Sequence, residues 1–235
     1  MALRIKKSTK KRHLEQVDRE PNKKDFIVCE GDRTEVKYFS GLRDHAKELG
    51  INDFVEIIIM EKNPEFKGTS DPYGLIRLAN LTIRKFECDE ECEDMGIYDK
   101  KRDKFLIVMD RDKGSDLNYH EFINKYKDEF ILGITNPCFE LWLLLHKEDS
   151  VENIIKPRYK EILENGRVSN SHTYVSKLVS DEFHMNPKTG MKFSKFKAKV
   201  LYAIEQEKKL EQDLYKLENR VGSNIGKIIE SELLA

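Results

Sequence analysis

Nothing in this sequence approaches the ~18 consecutive apolar residues of a membrane-spanning helix. The amino terminus is basic but lacks the apolar stretch that a secretory signal needs. Both absences point to a cytoplasmic protein with no membrane partner. Cysteine is scarce, 4 in 235 residues, which is too few for a disulfide framework, and Cys29 and Cys138 lie in apolar runs where a reduced thiol packs well. Cys88 and Cys92 stand four residues apart in a strongly acidic stretch. Two ligands without a second pair are weak support for a soft-metal site, and an acidic solvated insertion is the plainer reading. An excess of one charge is also missing: 42 basic residues face 43 acidic ones, so net charge alone names no polyanionic partner.

A packable core is present, with 39% hydrophobic residues in a chain long enough for one large domain or two small ones. The basic residues are unevenly spread. Residues 1–24 hold Arg4, Lys6, Lys7, Lys10, Lys11, Arg12, Arg19, Lys23 and Lys24 against Glu15, Asp18 and Glu20. That makes a flexible basic arm, which either contacts phosphates or is simply solvated.

Apolar runs predict strands over 26–30, 54–60, 105–110 and 130–135. Three- and four-residue apolar spacing predicts helices over 35–49, where Gly50 is placed to end the helix, over 73–87 and over 119–127. Strand and helix alternating in this order describe an α/β domain over 25–150, a mostly parallel sheet flanked by helices. Asn136 as a cap and Pro137 in a first turn predict a buried helix running through His146. Beyond residue 150 the pattern is helical, over about 151–165, 171–184, 192–217 and 222–234. The region 151–235 is therefore read as helices packed on the same domain.

Two of the strands end in carboxylates, Phe26-Ile27-Val28-Cys29-Glu30-Gly31 and Phe105-Leu106-Ile107-Val108-Met109-Asp110-Arg111-Asp112. Open parallel sheets place ligands beyond the carboxyl ends of their strands. Asp110 and Asp112, two apart, fall on one face of an extended chain, a spacing that suits two oxygen ligands of one hard cation. Each motif alone has a plain structural use: Glu30 at a helix start, and Asp110 and Asp112 around Arg111 in a turn. Together at one sheet edge they point to a site. Glu30 could move a proton and serve as a further ligand while the aspartates hold magnesium or manganese, which oxygen ligands favour over zinc. Glu140, between Phe139 and Leu141, is a costly charge to bury unless it is paired or linked to a metal. His146 reads as a satisfied helix-end histidine and Trp142 as core. Lys188, Lys192, Lys195, Lys197 and Lys199 interleave with Met191, Phe193 and Phe196. That segment is either a nucleic-acid surface with stacking aromatics or an amphipathic helix with a solvated lysine face.

With these residues in place the chain resembles the RloB-like family, Toprim-like proteins associated with prokaryotic restriction and phage defence. The likeness is carried by Ile27-Val28-Cys29-Glu30-Gly31-Asp32-Arg33-Thr34-Glu35 leading to Tyr38-Phe39, by Asp110-Arg111-Asp112, and by Asn136-Pro137-Cys138-Phe139-Glu140-Leu141-Trp142-Leu143-Leu144-Leu145-His146. Gly222-Ser223-Asn224-Ile225-Gly226-Lys227 is similar to a polar loop near the family's carboxy terminus but departs from its usual wording. The resemblance implies a catalytic glutamate at Glu30, a metal-binding pair at Asp110 and Asp112, Glu140 completing the acidic cluster, and phosphodiester chemistry on DNA or RNA. Phosphate or nucleic-acid contacts are expected from Gly31, Arg33, Thr34 and Arg111 and from Lys195 and Lys197. A small magnesium-dependent nuclease fits the length better than a topoisomerase or primase. The alternative is a non-catalytic binding or regulatory subunit recruited to a defence-system partner protein, and a homo-oligomer stays open.

Overall fold

The computed structural model describes residues 23–60, 62, 71–88, 98–111 and 118–234. Its framework is a five-stranded sheet in the order β2-β1-β3-β4-β5. The strands are β1 (Lys23–Cys29), β2 (Val55–Ile59), β3 (Lys104–Asp110), β4 (Ile131–Asn136) and β5 (Gly222–Ser223). The first four are parallel, and only β5 runs antiparallel, against β4. Helix α1 (Thr34–Asp44) joins β1 to β2, α2 (Pro72–Cys88) joins β2 to β3, and α3 (Tyr119–Tyr126) joins β3 to β4.

The near-continuous apolar runs of β1 and β3 are those of strands covered on both faces. Ile27, Cys29, Leu106 and Val108 pack with Tyr38, Phe39 and Leu42 of α1. Their neighbours Phe26, Val28, Phe105 and Ile107 pack on the other face with Leu75 and Leu78 of α2 and Phe122 of α3. The chain leaves β1 toward β2, then turns back to lay β3 on the opposite side of β1. This reversal puts the switch point of the sheet between β1 and β3, where open α/β sheets bind ligands.

After β4 come α4 (Glu140–Leu144), a wide helical turn at Val151–Ile155, α5 (Tyr159–Glu164), α6 (Tyr174–Phe183), α7 (Pro187–Gly190), α8 (Val200–Glu207) and α9 (Ile225–Ile228). Val175, Phe196, Ala203 and Ile229 from these segments share one core cluster with Ile27 and Val108 of the sheet. Among the described residues, no helix is long and apolar enough to cross a membrane.

Several elements differ from the sequence expectation. Lys23 and Lys24, read as arm, open β1: Lys23 pairs with Glu232 at 2.6 Å and the Lys24 N–H donates to Asp103 at 2.9 Å. Helix α1 stops at Asp44, and Gly50, at φ 72°, ends the turns that follow it. Asn136 does not cap a helix. It is the last residue of β4, its amide donates to Leu217 O at 2.6 Å, and α4 begins only at Glu140. The expected helix over 192–217 is broken into short turns at 193–195 and 197–199 followed by α8, with Phe193 and Phe196 both buried in the core. The expected helix over 222–234 opens as β5: Asn224 accepts from Ile134 N at 2.7 Å and donates to Leu132 O at 2.8 Å, standing in for further strand.

Candidate functional site

The carboxyl ends of β1 and β3 are tied directly to each other. Glu30 N donates to Val108 O at 2.8 Å, and Asp110 N donates to the Glu30 carboxylate at 2.9 Å. Asp110 Oδ1 in turn accepts from Phe139 N at 2.8 Å, which fixes the segment leading into α4. Strand alternation turns Asp110 to the same face as Leu106 and Val108, the face covered by α1 and α4. Glu35 from the first turn of α1 and Glu140 from the start of α4 come in over that face, both buried. Four carboxylates, from the end of β1, from β3, from α1 and from α4, therefore act on one another near the switch point.

Their mutual influence is unfavourable. Burial pushes the Asp110 carboxyl well above the usual carboxylate range, and the charges of Glu35, Glu30 and Glu140 push it further, with only the Phe139 N–H pulling down. Burial raises Glu35 to about 7; Glu140 and Glu30 add to the rise, while the N–H groups of Glu35 itself and Gly31 oppose it. The Cys29 and Cys138 thiols are also pushed up, by burial first and then by these carboxylates, so they stay protonated core residues. His146 donates from Nδ1 to Trp142 O at 3.1 Å and accepts from Tyr38 Oη at 3.0 Å. Burial lowers it to about 3, a neutral and satisfied histidine as the sequence suggested.

The remaining sequence candidates fall in different places. Gly31 leaves room for a side chain: a Cβ there would collide with the Glu35 carboxylate. Arg33 is exposed at the start of α1. Thr34 is buried, and its hydroxyl donates to Pro187 O at 3.0 Å. Arg111 turns to the opposite face of the sheet, 5.0 Å over the Tyr119 ring and 3.8 Å from Glu218. Lys195 is exposed, and Lys197 pairs at 2.5 Å with Glu48, beyond the far end of α1 from the carboxylates. Phe193, Phe196 and Met191 are core residues, so they cannot stack bases beside these lysines. Asp112, Cys92 and arm residues 1–22 lie outside the described residues, as does the Cys88 side chain.

Two members of the site did not stand out in sequence. Glu35 carried a readable signal: it lies at i, i+3, i+4, i+7 spacing with Tyr38, Phe39 and Leu42, which makes it a carboxylate on the buried stripe of an amphipathic helix. Lys62 carried none. From beyond β2 its ammonium reaches the Glu30 carbonyl and lies 3.1 Å from Asp32, its side chain only 6% exposed. It pins the turn between β1 and α1.

As a metal centre the donor set fits in chemistry and falls short in number. It consists of oxygen ligands crowded enough that a cation would relieve their repulsion, the character magnesium and manganese require. Among the described residues, however, no three His, Cys, Asp or Glu side chains are gathered closely enough to hold one ion. No curated protein and no solved structure matches the chain. The family model described as RloB-like protein matches residues 26–231, from β1 to the final helical turn. The chain belongs to the RloB-like family.

Proposed function

We propose that this protein is a metal-dependent nuclease of Toprim type that hydrolyses phosphodiester bonds in DNA or RNA and serves prokaryotic phage defence. The observation that supports this most is Asp110, tied to Glu30 and crowded by Glu35 and Glu140 at the switch point of the sheet. A structural role gives no reason to crowd like charges there, since their mutual repulsion and desolvation work against the fold. Asp110 and Glu30, with Asp112 of the same motif, would hold magnesium or manganese, which supplies positive charge against the developing phosphate oxyanion. The Asp110 N–H orients the Glu30 carboxylate, and the Phe139 N–H orients that of Asp110. Glu30 is assigned proton transfer with Glu140 completing the acidic cluster. Glu35, titrating at about 7, is a second group suited to pass a proton at neutral pH.

The test is cleavage of single-stranded and duplex DNA and RNA with magnesium or manganese, comparing the native chain with Glu30→Gln and Asp110→Asn. Each substitution is expected to lower the rate about 100-fold or more. If native chain and variants are equally inert on every substrate while a partner or nucleic acid is still bound, the protein is a non-catalytic subunit.

A further inference from the structure

Between Glu182 and Glu205 the chain holds Lys188, Lys192, Lys195, Lys197 and Lys199 and no acidic residue, although acidic and basic residues balance over its whole length. The path of this segment is fixed against α1 at three points. Pro187 O accepts from the Thr34 hydroxyl, the Phe193 ring lies so close to Gly41 that no Cβ would fit there, and Lys197 pairs with Glu48 at 2.5 Å. Residues 187–197 therefore run alongside α1, starting at the turn that carries Glu30 and Glu35. Lys37, three residues after Thr34 and four before Gly41, stands on the same ridge of α1 as these two contacts.

The strip so formed carries unpaired charge of one sign. Arg33, Lys37, Lys188, Lys192 and Lys195 are exposed, and none of the five forms an ion pair among the described residues. Among those residues the exposed carboxylates beside them are each taken: Asp32 by Lys62 at 3.1 Å, Asp44 by Arg43 at 2.9 Å, and Glu48 by Lys197. A solvated face usually mixes the two signs, whereas cations gathered on two anchored segments repel one another until an outside polyanion meets them. Met191, Phe193 and Phe196 are buried, so the segment turns no aromatic face outward on which an unpaired base could stack. Phosphates are left to recognise, and a duplex presents one charge per ~1.7 Å of its axis, about twice the density of a single strand.

We propose that Arg33, Lys37, Lys188, Lys192 and Lys195 form a track for the phosphate backbone of a nucleic-acid duplex, leading it to the carboxylates of β1, β3, α1 and α4. The track rests on the reading of those carboxylates as a phosphodiester-cleaving site, but its occupancy is measured apart from cleavage. Fluorescence anisotropy of short labelled duplex DNA, duplex RNA and their single strands would be followed in EDTA across a salt series, with melting midpoints confirming that each variant is folded. Lys188→Gln/Lys192→Gln is expected to weaken duplex binding about 10-fold or more and to lower the salt slope by roughly 1.8, the loss of two phosphate contacts. Lys37→Gln is expected to lower the slope by roughly 0.9. Lys100→Gln/Lys101→Gln removes the same net charge from exposed positions ahead of β3, at the other end of the sheet, and is expected to bind like the native chain. The proposal is overturned if the strip pair and this control pair bind alike, if the native chain binds single strands more tightly than duplex or binds neither, or if poly-glutamate of equal charge competes as well as duplex does. Cleavage by the native chain that the strip variants leave unchanged, in binding as in rate, sinks the track alone. Strip-dependent duplex binding without cleavage under magnesium or manganese supports the track and sinks the nuclease reading instead.

Discussion

Two carboxylate sites in this molecule are built in opposite ways. Glu207, at the end of α8, accepts from Gly226 N and Lys227 N, both at 2.9 Å, and from the Gln212 amide at 2.8 Å. Burial raises its pKa, but the other main influences on it, from Gly226, Ser223, Lys227 and Gln212, all pull down. Asp110 is partly exposed and keeps the reverse company: three carboxylates push it up and one N–H pulls down. The first is a carboxylate serving as mortar between α8 and α9, with donors supplied to match its charge. The second is held in surroundings that favour losing its charge or gaining a cation. Desolvation raises both, and the sign of the neighbours is what separates them.

The contrast can be broken by substitution. Glu207→Ala should produce the largest loss of stability, about 3 kcal/mol or more in urea unfolding, because it strands two buried N–H groups and an amide. A loss below about 1 kcal/mol would show that the matched donors matter little.

At the crowded end the sign reverses with pH. Glu35 in the fold holds its proton up to about pH 7, whereas the unfolded chain ionises it from its ordinary value of 4.5. Stability is thus fully present below that lower value and is lost as pH rises through the window between them. In EDTA at pH 8, Glu35→Gln should raise the melting midpoint by about 2–8 °C over the native chain, with the gap closing toward pH 4. Added magnesium or manganese should stabilise the native chain at pH 8 and leave Asp110→Asn unmoved. A flat profile for both proteins would show that Glu35 is not crowded in solution. Smallest is the effect of Gly31→Ala, about 1 kcal/mol, since the new methyl must displace the Glu35 carboxylate. A double-mutant cycle with Glu35→Ala should recover most of it, whereas additive effects would place the clash elsewhere.

The four parallel strands could be read from their apolar runs because both faces are buried, and Glu30, Asp110 and Glu140 could be read because they interrupt apolar runs. What could not be read depended on partners distant in sequence. Lys23 and Lys24 look like arm until Glu232 and Asp103 arrive to balance them. Residues 193–199 carry helical spacing, and the structure has short turns there with Phe193 and Phe196 both in the core, which the spacing alone does not distinguish from a helix. Glu35 stands in the first turn of α1, where an acidic residue is ordinary, and its meaning comes from the packing of its carboxylate against Gly31. Lys62 sits in a charged loop, and nothing local marks it as the residue that reaches Glu30.

The short strand β5 has a consequence in time. Until Gly222–Ser223 and Asn224 arrive, β4 presents an unpaired edge, and Asn224 closes it from 90 residues downstream. At ribosomal rates of ~5–20 residues per second, that edge stays open for ~5–18 s of every synthesis. An apolar parallel strand left open for that long is a template for pairing with any other nascent chain. The edge is thus sealed by a segment made long after the strand it covers, and the vulnerable interval belongs to the ribosome rather than to the finished protein.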